Sequence, residues 1–442
     1  MRGKATKKIF ALISLLCILF SLCLPSAAVE PFPATDAAKT VYLWNAEYDK
    51  AIISKSDGVI FPASMTKIMT GLVAIDLIGG RLDEKVTLTS EMLMGNAGTR
   101  IPLAEGEVLS YRDLLYAAIC GGFNDAANAL AVASAGSKSA FVAKMNEKAE
   151  SLGAKNTHYT NPTGWHDENM LTTLSDTALI CKAAMKNELY VTVSSAASYV
   201  VPKTNKSERF TVHNRNGLIS SHYAHGYRNQ KAKGLIAGMT DEGGHCLATF
   251  FEDSGLTYLL IVMGATESEG VISSYEIATS LISYVSSYYG TVDAIKAGEV
   301  VTSVPVHLAV STTDDYYMLD CTVADKVSVL TPYDRNSLEN IELVPYFFSD
   351  EITAPIAKGE VIGGVDIFID GVLRGNADLC AAEDVEANSI LSTMQRAKEM
   401  LVSRTFVIFL IVFLILFGLY FFFFELSDLR KKDKKIRFDR IY

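Results

Sequence analysis

Cysteine is too scarce and too unevenly spaced in this chain to build a disulfide framework. The 442 residues include seven cysteines, two of which lie in an apolar run at the N-terminus. The other five, an odd number, are Cys120, Cys181, Cys246, Cys321 and Cys380. Small secreted folds held together by disulfides need an even set at regular spacing, so the sequence excludes that class and leaves room for one bridge at most.

The signatures of two large hydrolase classes are also missing. No Gly-x-Ser-x-Gly is present, the strand-to-helix turn that carries the nucleophile of α/β-hydrolases. His222 and His225 have the spacing of a metal pair, but no acidic residue stands where a zincin needs one. We therefore interpret these histidines as surface or hydrogen-bonding side chains, and the sequence implies no metal and no cofactor.

Basic residues are outnumbered by acidic ones. The chain has 40 Lys and Arg against 50 Asp and Glu, a net charge of −10. Without the four basic residues of the N-terminal segment and the seven basic and four acidic residues of the C-terminal tail, 29 basic face 46 acidic residues, about −17. Such an acidic protein binds nucleic acid poorly, so we exclude that partner.

Two long apolar runs mark the ends of the chain. Residues 1–28 have four basic residues, an apolar run and a small-residue cleavage site, Ser26-Ala27-Ala28, and are predicted to be a secretory signal peptide. Residues 405–424 carry no charge and are long enough to cross a bilayer. The basic tail, residues 425–442, predicts a cytoplasmic C-terminus. We expect a single-pass protein of the cell membrane with its bulk outside.

The pattern between these runs predicts two folded domains. In residues 29–290, strand patterns at both ends enclose several amphipathic helices, which is typical of an α/β (α+β) domain with helices packed on an antiparallel sheet. Residues 291–382 contain short β-rich runs and a hairpin signal, Asp370-Gly371, and predict a small all-β domain. Residues 383–404 predict a juxtamembrane helix that leads into the transmembrane helix.

A possible nucleophile lies near the start of a buried helix. The stretch from Pro62 to Lys67 opens an apolar run that Gly79-Gly80 ends, and it contains the only Ser-x-x-Lys of the chain. Ser64 and Lys67, three residues apart, share one helix face, so the amine can take the hydroxyl proton. One such match is about what chance supplies in a chain of this length, but the Pro-Ala before it and the buried helix after it favour a catalytic pair.

Taken in order, these motifs resemble the low-molecular-weight penicillin-binding proteins, the D-alanyl-D-alanine carboxypeptidases. The resemblance covers roughly residues 36–379 and rests on the Ser-x-x-Lys stretch, Asn124-Asp125-Ala126-Ala127, Asn161-Pro162-Thr163-Gly164, Gly238-Met239-Thr240 and Asp370-Gly371. It implies a DD-peptidase (β-lactamase-like) domain followed by a small β domain. The implied ligands are peptidoglycan stem peptides and β-lactams, and the implied reaction is acyl transfer through a serine acyl-enzyme.

The resemblance also implies a role for each matching residue. Ser64 would attack the D-Ala–D-Ala bond, Lys67 would act as base, and Asn124 would hold the substrate and the base. Gly238 and Thr240 would belong to the substrate-binding strand, with backbone N–H groups at Ser64 and near Gly238 as oxyanion hole.

The sequence departs from the family pattern at three positions that carry chemistry. Gly122 stands where a Ser-x-Asn serine is expected, and Ile236 and Ala237 replace the Lys and Thr of a Lys-Thr-Gly. Lys233 is the nearest basic alternative, but its spacing puts it on the opposite face of a strand. Without the cation, we expect Lys67 to be protonated more often than in relatives, and a weaker base.

Two functions from different classes stay open. One is a working serine peptidase with an altered site, and the other is a catalytically impaired or inactive relative that binds peptidoglycan or a partner. Cys120 is either a substitute nucleophile or relay, or a buried structural thiol, and the second interpretation is favoured. Trp165 is interpreted as a packing residue rather than a substrate contact. Covalent labelling by a β-lactam distinguishes the two functions.

Overall fold

The computed structural model describes residues 32–56, 58–94, 97–101, 103–310, 317–332 and 341–438, with side chains as far as residue 427. The predicted signal peptide, residues 1–28, lies outside the described residues. The described residues form two compact units, one that extends to residue 290 and includes Pro332, and one that begins at residue 291.

The first unit mixes short strands with helices. Its strands are β1 (Thr40–Asn45), β2 (Lys50–Lys55), β3 (Val59–Ile60), β4 (Lys85–Thr87), β5 (Val108–Ser110), β6 (Thr172–Thr173), β7 (Ser198–Val201), β8 (Phe210–His213), β9 (Ala232–Thr240), β10 (Gly244–Asp253), β11 (Leu256–Ala265), β12 (Glu267–Ser268) and β13 (Val271–Ile272). Its helices are a 3-10 turn (Ala63–Met65), α1 (Thr66–Ile78), α2 (Ser90–Leu93), α3 (Tyr111–Ile119), α4 (Asn124–Ala135), α5 (Lys138–Ser151), α6 (Leu174–Met185), α7 (Glu188–Ser195) and α8 (Ser273–Tyr288).

A five-stranded antiparallel sheet in the order β2-β1-β11-β10-β9 forms the centre of this unit. Successive side chains of a strand point to opposite faces, and β11 shows this plainly. Leu259 and Ile261 belong to the core formed with α1 and α4, whereas Leu260 and Val262 belong to the core formed with α8. Both faces are therefore covered, and the predicted α/β (α+β) class is confirmed.

The turn between α3 and α4 brings two site residues into position. Ser110 and Asp113 form a capping box at the start of α3, since the Ser110 hydroxyl accepts from Asp113 N at 3.1 Å and Asp113 accepts from Ser110 N at 2.8 Å. The helix ends before Gly121-Gly122. Gly122 has a φ of +68°, a left-handed conformation that glycine adopts without strain. Asn124 then opens α4.

The second unit is a β domain followed by two helices. Its strands are β14 (Tyr289–Ile295), β15 (Val300–His307), β16 (Tyr317–Thr322), β17 (Val327–Pro332), β18 (Ile341–Phe347), β19 (Ile352–Thr353), β20 (Val361–Ile369) and β21 (Val372–Ala381), and its helices are α9 (Ser389–Val402) and α10 (Arg404–Phe438). Six strands form a sheet in the order β18-β20-β21-β16-β15-β19. The predicted Asp370-Gly371 hairpin joins β20 to β21, with φ values of +52° and +72°.

The helix predicted over residues 383–404 begins later than expected. Residues 383–388 run on as extended chain, because Val385 is buried in the β-domain core and bridges to Ile356, and Ala387 bridges to Ala309. Asn388 then caps α9 by accepting from Ile390 N and Leu391 N. Within α10, the most apolar 18-residue window of residues 404–427 has a mean hydropathy of 3.1, and by length and composition this segment can cross a membrane.

Candidate active site

Ser64 sits in a tight turn that the rest of the first unit holds from two sides. The preceding residue, Ala63, has a φ of +47°, a strained conformation for a residue with a side chain. A Cβ on Gly164 would lie 1.9 Å from the Ala63 carbonyl oxygen, and a Cβ on Gly238 would lie 2.4 Å from the Ser64 hydroxyl. Only glycine permits these approaches. The loop of Gly164 and the strand of Gly238 therefore press the nucleophile turn into place.

Lys67 lies one turn further along, almost fully enclosed. Its side chain is 1% exposed, and its Nζ donates to the Thr163 carbonyl at 2.6 Å and lies 3.4 Å from the Ser64 hydroxyl. Burial disfavours the charged amine, and the nearby Arg215 guanidinium repels it. Together they lower the pKa of Lys67 from 10.5 to about 7. A base with this pKa is half neutral at neutral pH.

Lys67 does have a neighbouring cation, so the expectation that the replacement of the family lysine by Ile236 leaves it without one is wrong. That Lys67 is protonated more often than in relatives stays a prediction. Ile236 is indeed apolar and buried, at 1% exposure within the core that includes α1. Arg215, which enters from the segment after β8, supplies the positive charge instead.

Asn124 and Asp125 hold the loop of residues 97–101 by hydrogen bonds. The Asn124 side-chain amide donates to the Ala97 carbonyl at 2.6 Å, and its backbone N donates to Thr99 O at 2.8 Å. Asp125 accepts from Ile101 N at 3.0 Å, and burial raises the pKa of its carboxyl to about 6. In the described part of the chain no hydrogen bond joins Asn124 to Lys67, so the expected contact between them is not made here.

Strand β9 runs past the nucleophile. Gly238 touches Ser64, and Thr240, two residues on, accepts a hydrogen bond from Gly243 N at 2.9 Å. Lys233 lies at the other end of the strand, where its ammonium pairs with Glu252 at 2.7 Å. The alternative register, with Lys233 in the site, is therefore wrong.

A cavity of about 620 Å³ opens beside these groups. Predicted and unpredicted residues together line it, among them Ser64, Asn124, Gly238, Thr240, Trp165 and Arg215. Trp165 is 49% exposed there, and its ring lies against Gly98, where a Cβ would be 3.0 Å from Trp165 Cζ3, so its interpretation as a packing residue stays a prediction. Four of the five predicted site residues thus meet in one cavity, and Lys67 lies just behind Ser64.

Arg215 is the residue that the sequence reasoning missed. Its guanidinium carbon lies 4.4 Å from the centre of the Tyr223 ring, and its backbone N donates to Cys120 O at 2.9 Å. A Cβ on Gly122 would lie 3.5 Å from Arg215 Cβ and 3.6 Å from its Cγ, so the arginine side chain packs across this glycine. A lone arginine between two asparagines gives no sequence signal, because only the folded chain brings it to the site.

The alternative role of Cys120 as a nucleophile or relay is not compatible with its surroundings. The thiol is fully buried and lies 3.3 Å from the Ala196 carbonyl oxygen. Burial raises the pKa of Cys120 to about 12, so the reactive thiolate is not formed. The five described cysteines are all free, buried thiols.

The histidines near β8 stack rather than converge on an ion. The His213 and His222 rings are 3.8 Å apart and nearly parallel. Over the described ranges, no group of three or more His, Cys, Asp or Glu side chains could hold a metal.

Comparison with known proteins places these features in a family. Residues 27–267 match the family model described as D-alanyl-D-alanine carboxypeptidase, and residues 289–387 match the C-terminal domain of penicillin-binding protein 5. The D-alanyl-D-alanine carboxypeptidase DacF of Bacillus subtilis is 26% identical over 394 residues, 86% of this chain and 96% of its own.

Solved structures give the same fold. The D-alanyl-D-alanine carboxypeptidase DacD of Francisella tularensis is similar at a TM-score of 0.65 and 21% identity, over 83% of this chain and 98% of its own. The DD-transpeptidase of Streptomyces K15 is similar at a TM-score of 0.51 and 28% identity, over 57% of this chain and 98% of its own.

Proposed function

Because the chain belongs to the D-alanyl-D-alanine carboxypeptidase family, we propose that it is a membrane-anchored, extracytoplasmic serine enzyme that acts on peptidoglycan stem peptides. One observation carries the proposal. Lys67 Nζ lies 3.4 Å from the Ser64 hydroxyl, and the pKa of Lys67 is lowered to about 7. A neutral amine within reach of a serine hydroxyl is the pair that nucleophilic acyl transfer needs.

The reaction follows from this pair. Neutral Lys67 takes the Ser64 proton as the hydroxyl oxygen attacks the carbonyl carbon of the D-Ala–D-Ala bond. Backbone N–H groups at Ser64 and in β9 stabilise the oxyanion, and this needs no particular side chain at Ile236 or Ala237. The C–N bond then breaks, D-alanine leaves with the proton, and water hydrolyses the acyl-enzyme. A β-lactam would acylate the same hydroxyl and remain bound.

The replaced side chains predict a slow enzyme. Gly122 has no hydroxyl to relay a proton to the leaving amine, which costs about 10²-fold in rate unless water takes that place. The Asn124 amide is engaged with Ala97 and has to turn to meet a substrate.

A non-catalytic binder is the second candidate, and the same replacements favour it. Gly122, Ile236 and Ala237 remove a relay hydroxyl, a cation and a second hydroxyl from the site. In that case the cavity would bind peptidoglycan or a partner without turnover.

The apolar C-terminal helix and the basic residues after it support a location at the membrane. Residues 404–427 form one exposed apolar helix in the part of the chain that the structure describes, and seven basic residues follow from Arg430 onward. This arrangement favours a C-terminal anchor with the tail in the cytoplasm. Truncation after Ser403 should release the protein from the membrane fraction. A truncated chain that still sediments with membranes would contradict the anchor.

The test of the enzyme proposal is covalent labelling of the full chain in detergent. Intact mass is measured after incubation with a penicillin, with Ser64→Ala as control. We expect an adduct of one penicillin that is absent from the control. Folded protein that forms no adduct at millimolar penicillin would reject the enzyme and leave the binder.

A further inference from the structure

We propose that Arg215 binds the terminal carboxylate of the ligand whose carbonyl is attacked by Ser64, in place of the lysine that this chain lacks. The inference rests on the proposed function and deepens it, because it assigns the ligand class: peptides and β-lactams with a free carboxylate.

The first step is the charge of the cavity. Among its described lining residues, Arg215 is the one Lys or Arg side chain. The family position for a cation is taken by Ile236, whose side chain is buried in the core, and Lys233 is paired with Glu252 outside the cavity. A carboxylate that enters the cavity therefore has one guanidinium to meet.

The second step is that this guanidinium is available. Arg215 forms no ion pair with a carboxylate over the described ranges, although it is partly buried beside Tyr223. Its main chain is held by Cys120 O and by the Tyr275 hydroxyl, which donates to Arg215 O at 3.3 Å. A positioned, partly desolvated guanidinium without a carboxylate partner is suited to two parallel hydrogen bonds with an anion.

The third step is that position 122 is compatible with this role. Gly122 carries no side chain, and the Arg215 side chain passes over it, with its Nε 3.9 Å from where a Cβ would lie. The Arg215 side chain therefore packs over the position where a family serine side chain would stand. The cavity lining also includes Asp241 and Glu242, which repel a carboxylate, so Arg215 is the lining side chain that favours one.

The experiment compares charged and neutral versions of one ligand on the full chain in detergent. The second-order acylation rate is measured for a penicillin and for its methyl ester, in the wild type, Arg215→Gln, Arg215→Lys and Arg209→Gln. Arg209 is exposed and does not line the cavity, so Arg209→Gln is the matched control. The readout is the ratio of the two rates, because a change in Lys67 basicity affects both ligands alike.

We expect the wild type and Arg209→Gln to prefer the free acid, and Arg215→Gln to lose about 100-fold of that preference. Arg215→Lys should keep part of it. A wild type without preference, or an Arg215→Gln variant that slows both ligands equally, would overturn the proposal while the enzyme stands.

A second measurement separates the two failures. If no β-lactam labels the protein, the proposed enzyme fails, and calorimetric binding of a peptide ending in D-Ala–D-Ala is compared with binding of its C-terminal amide. Preference for the acid that depends on Arg215 supports the inference on its own. Equal binding of acid and amide, or no binding of either, refutes it.

Discussion

The pH dependence of Ser64 acylation should follow the ionisation of Lys67. The base acts only when it is neutral, and its pKa is lowered from 10.5 to about 7 by burial and by Arg215. The acylation rate should therefore rise with pH through about 7 and then level off. Between pH 6 and pH 8 the neutral fraction goes from about a tenth to about nine tenths, so we expect a rate increase of about tenfold.

The size of the pKa shift of Lys67 also determines how much neutral base would be lost without it. An amine with a pKa of 10.5 would be neutral in only about one molecule in 3,000 at pH 7, so the environment raises the amount of active base by about 10³-fold. Burial is the larger cause and Arg215 the smaller. Arg215→Gln should therefore move the midpoint upward but leave it well below 10.5.

The assay is the rate of labelling by a fluorescent penicillin between pH 5 and pH 9, on the full chain in detergent. His166 and His245 also line the cavity, and they lie 3.8 Å from Glu242 and 2.9 Å from Glu267, so the profile is repeated with both histidines replaced by Gln. We expect the midpoint to stay. A rate independent of pH in this range, or a midpoint that follows the histidines, would refute Lys67 as the titrating base.

Three further substitutions test other parts of the site. Gly238→Ala puts a Cβ 2.4 Å from the Ser64 hydroxyl and should abolish penicillin labelling, and labelling at the normal rate would contradict the observed approach. Lys67→Met should also abolish labelling, yet raise the free energy of unfolding at pH 6 by roughly 2–4 kcal/mol, measured by urea unfolding. The sign follows because the folded chain has the lower pKa, so stability rises with pH from about 7 to 10.5, and below 7 the full cost of charging Lys67 is present. A lower free energy of unfolding for Lys67→Met than for the wild type at pH 6 would contradict the cost of burying a charged Lys67 amine. Cys120→Ser should leave labelling intact and destabilise the fold by about 1–2 kcal/mol, and loss of labelling in a folded variant would restore a chemical role for the thiol.

Local patterns in the sequence were enough for much of the architecture. The stretch from Pro62 to Lys67 and the Asp370-Gly371 hairpin depend on residues close in the chain, and the structure has both of them where predicted. The juxtamembrane helix starts later than predicted, because Val385 bridges to Ile356 and is buried with it in the β-domain core, and these long-range contacts outweigh the local helical pattern.

The sequence by itself determined the family, the fold class and the nucleophile–base pair, since motif order and hydrophobic period are properties of the linear chain. The charge balance of the site was decided only by the tertiary structure. Arg215 is separated from Lys67 by 148 positions, and no spacing rule relates them. Folding brings this guanidinium to the cavity and removes Lys67 from water, and these two effects set the pKa of the base. Electrostatics depends on distance in space and on burial, which only the packed chain defines.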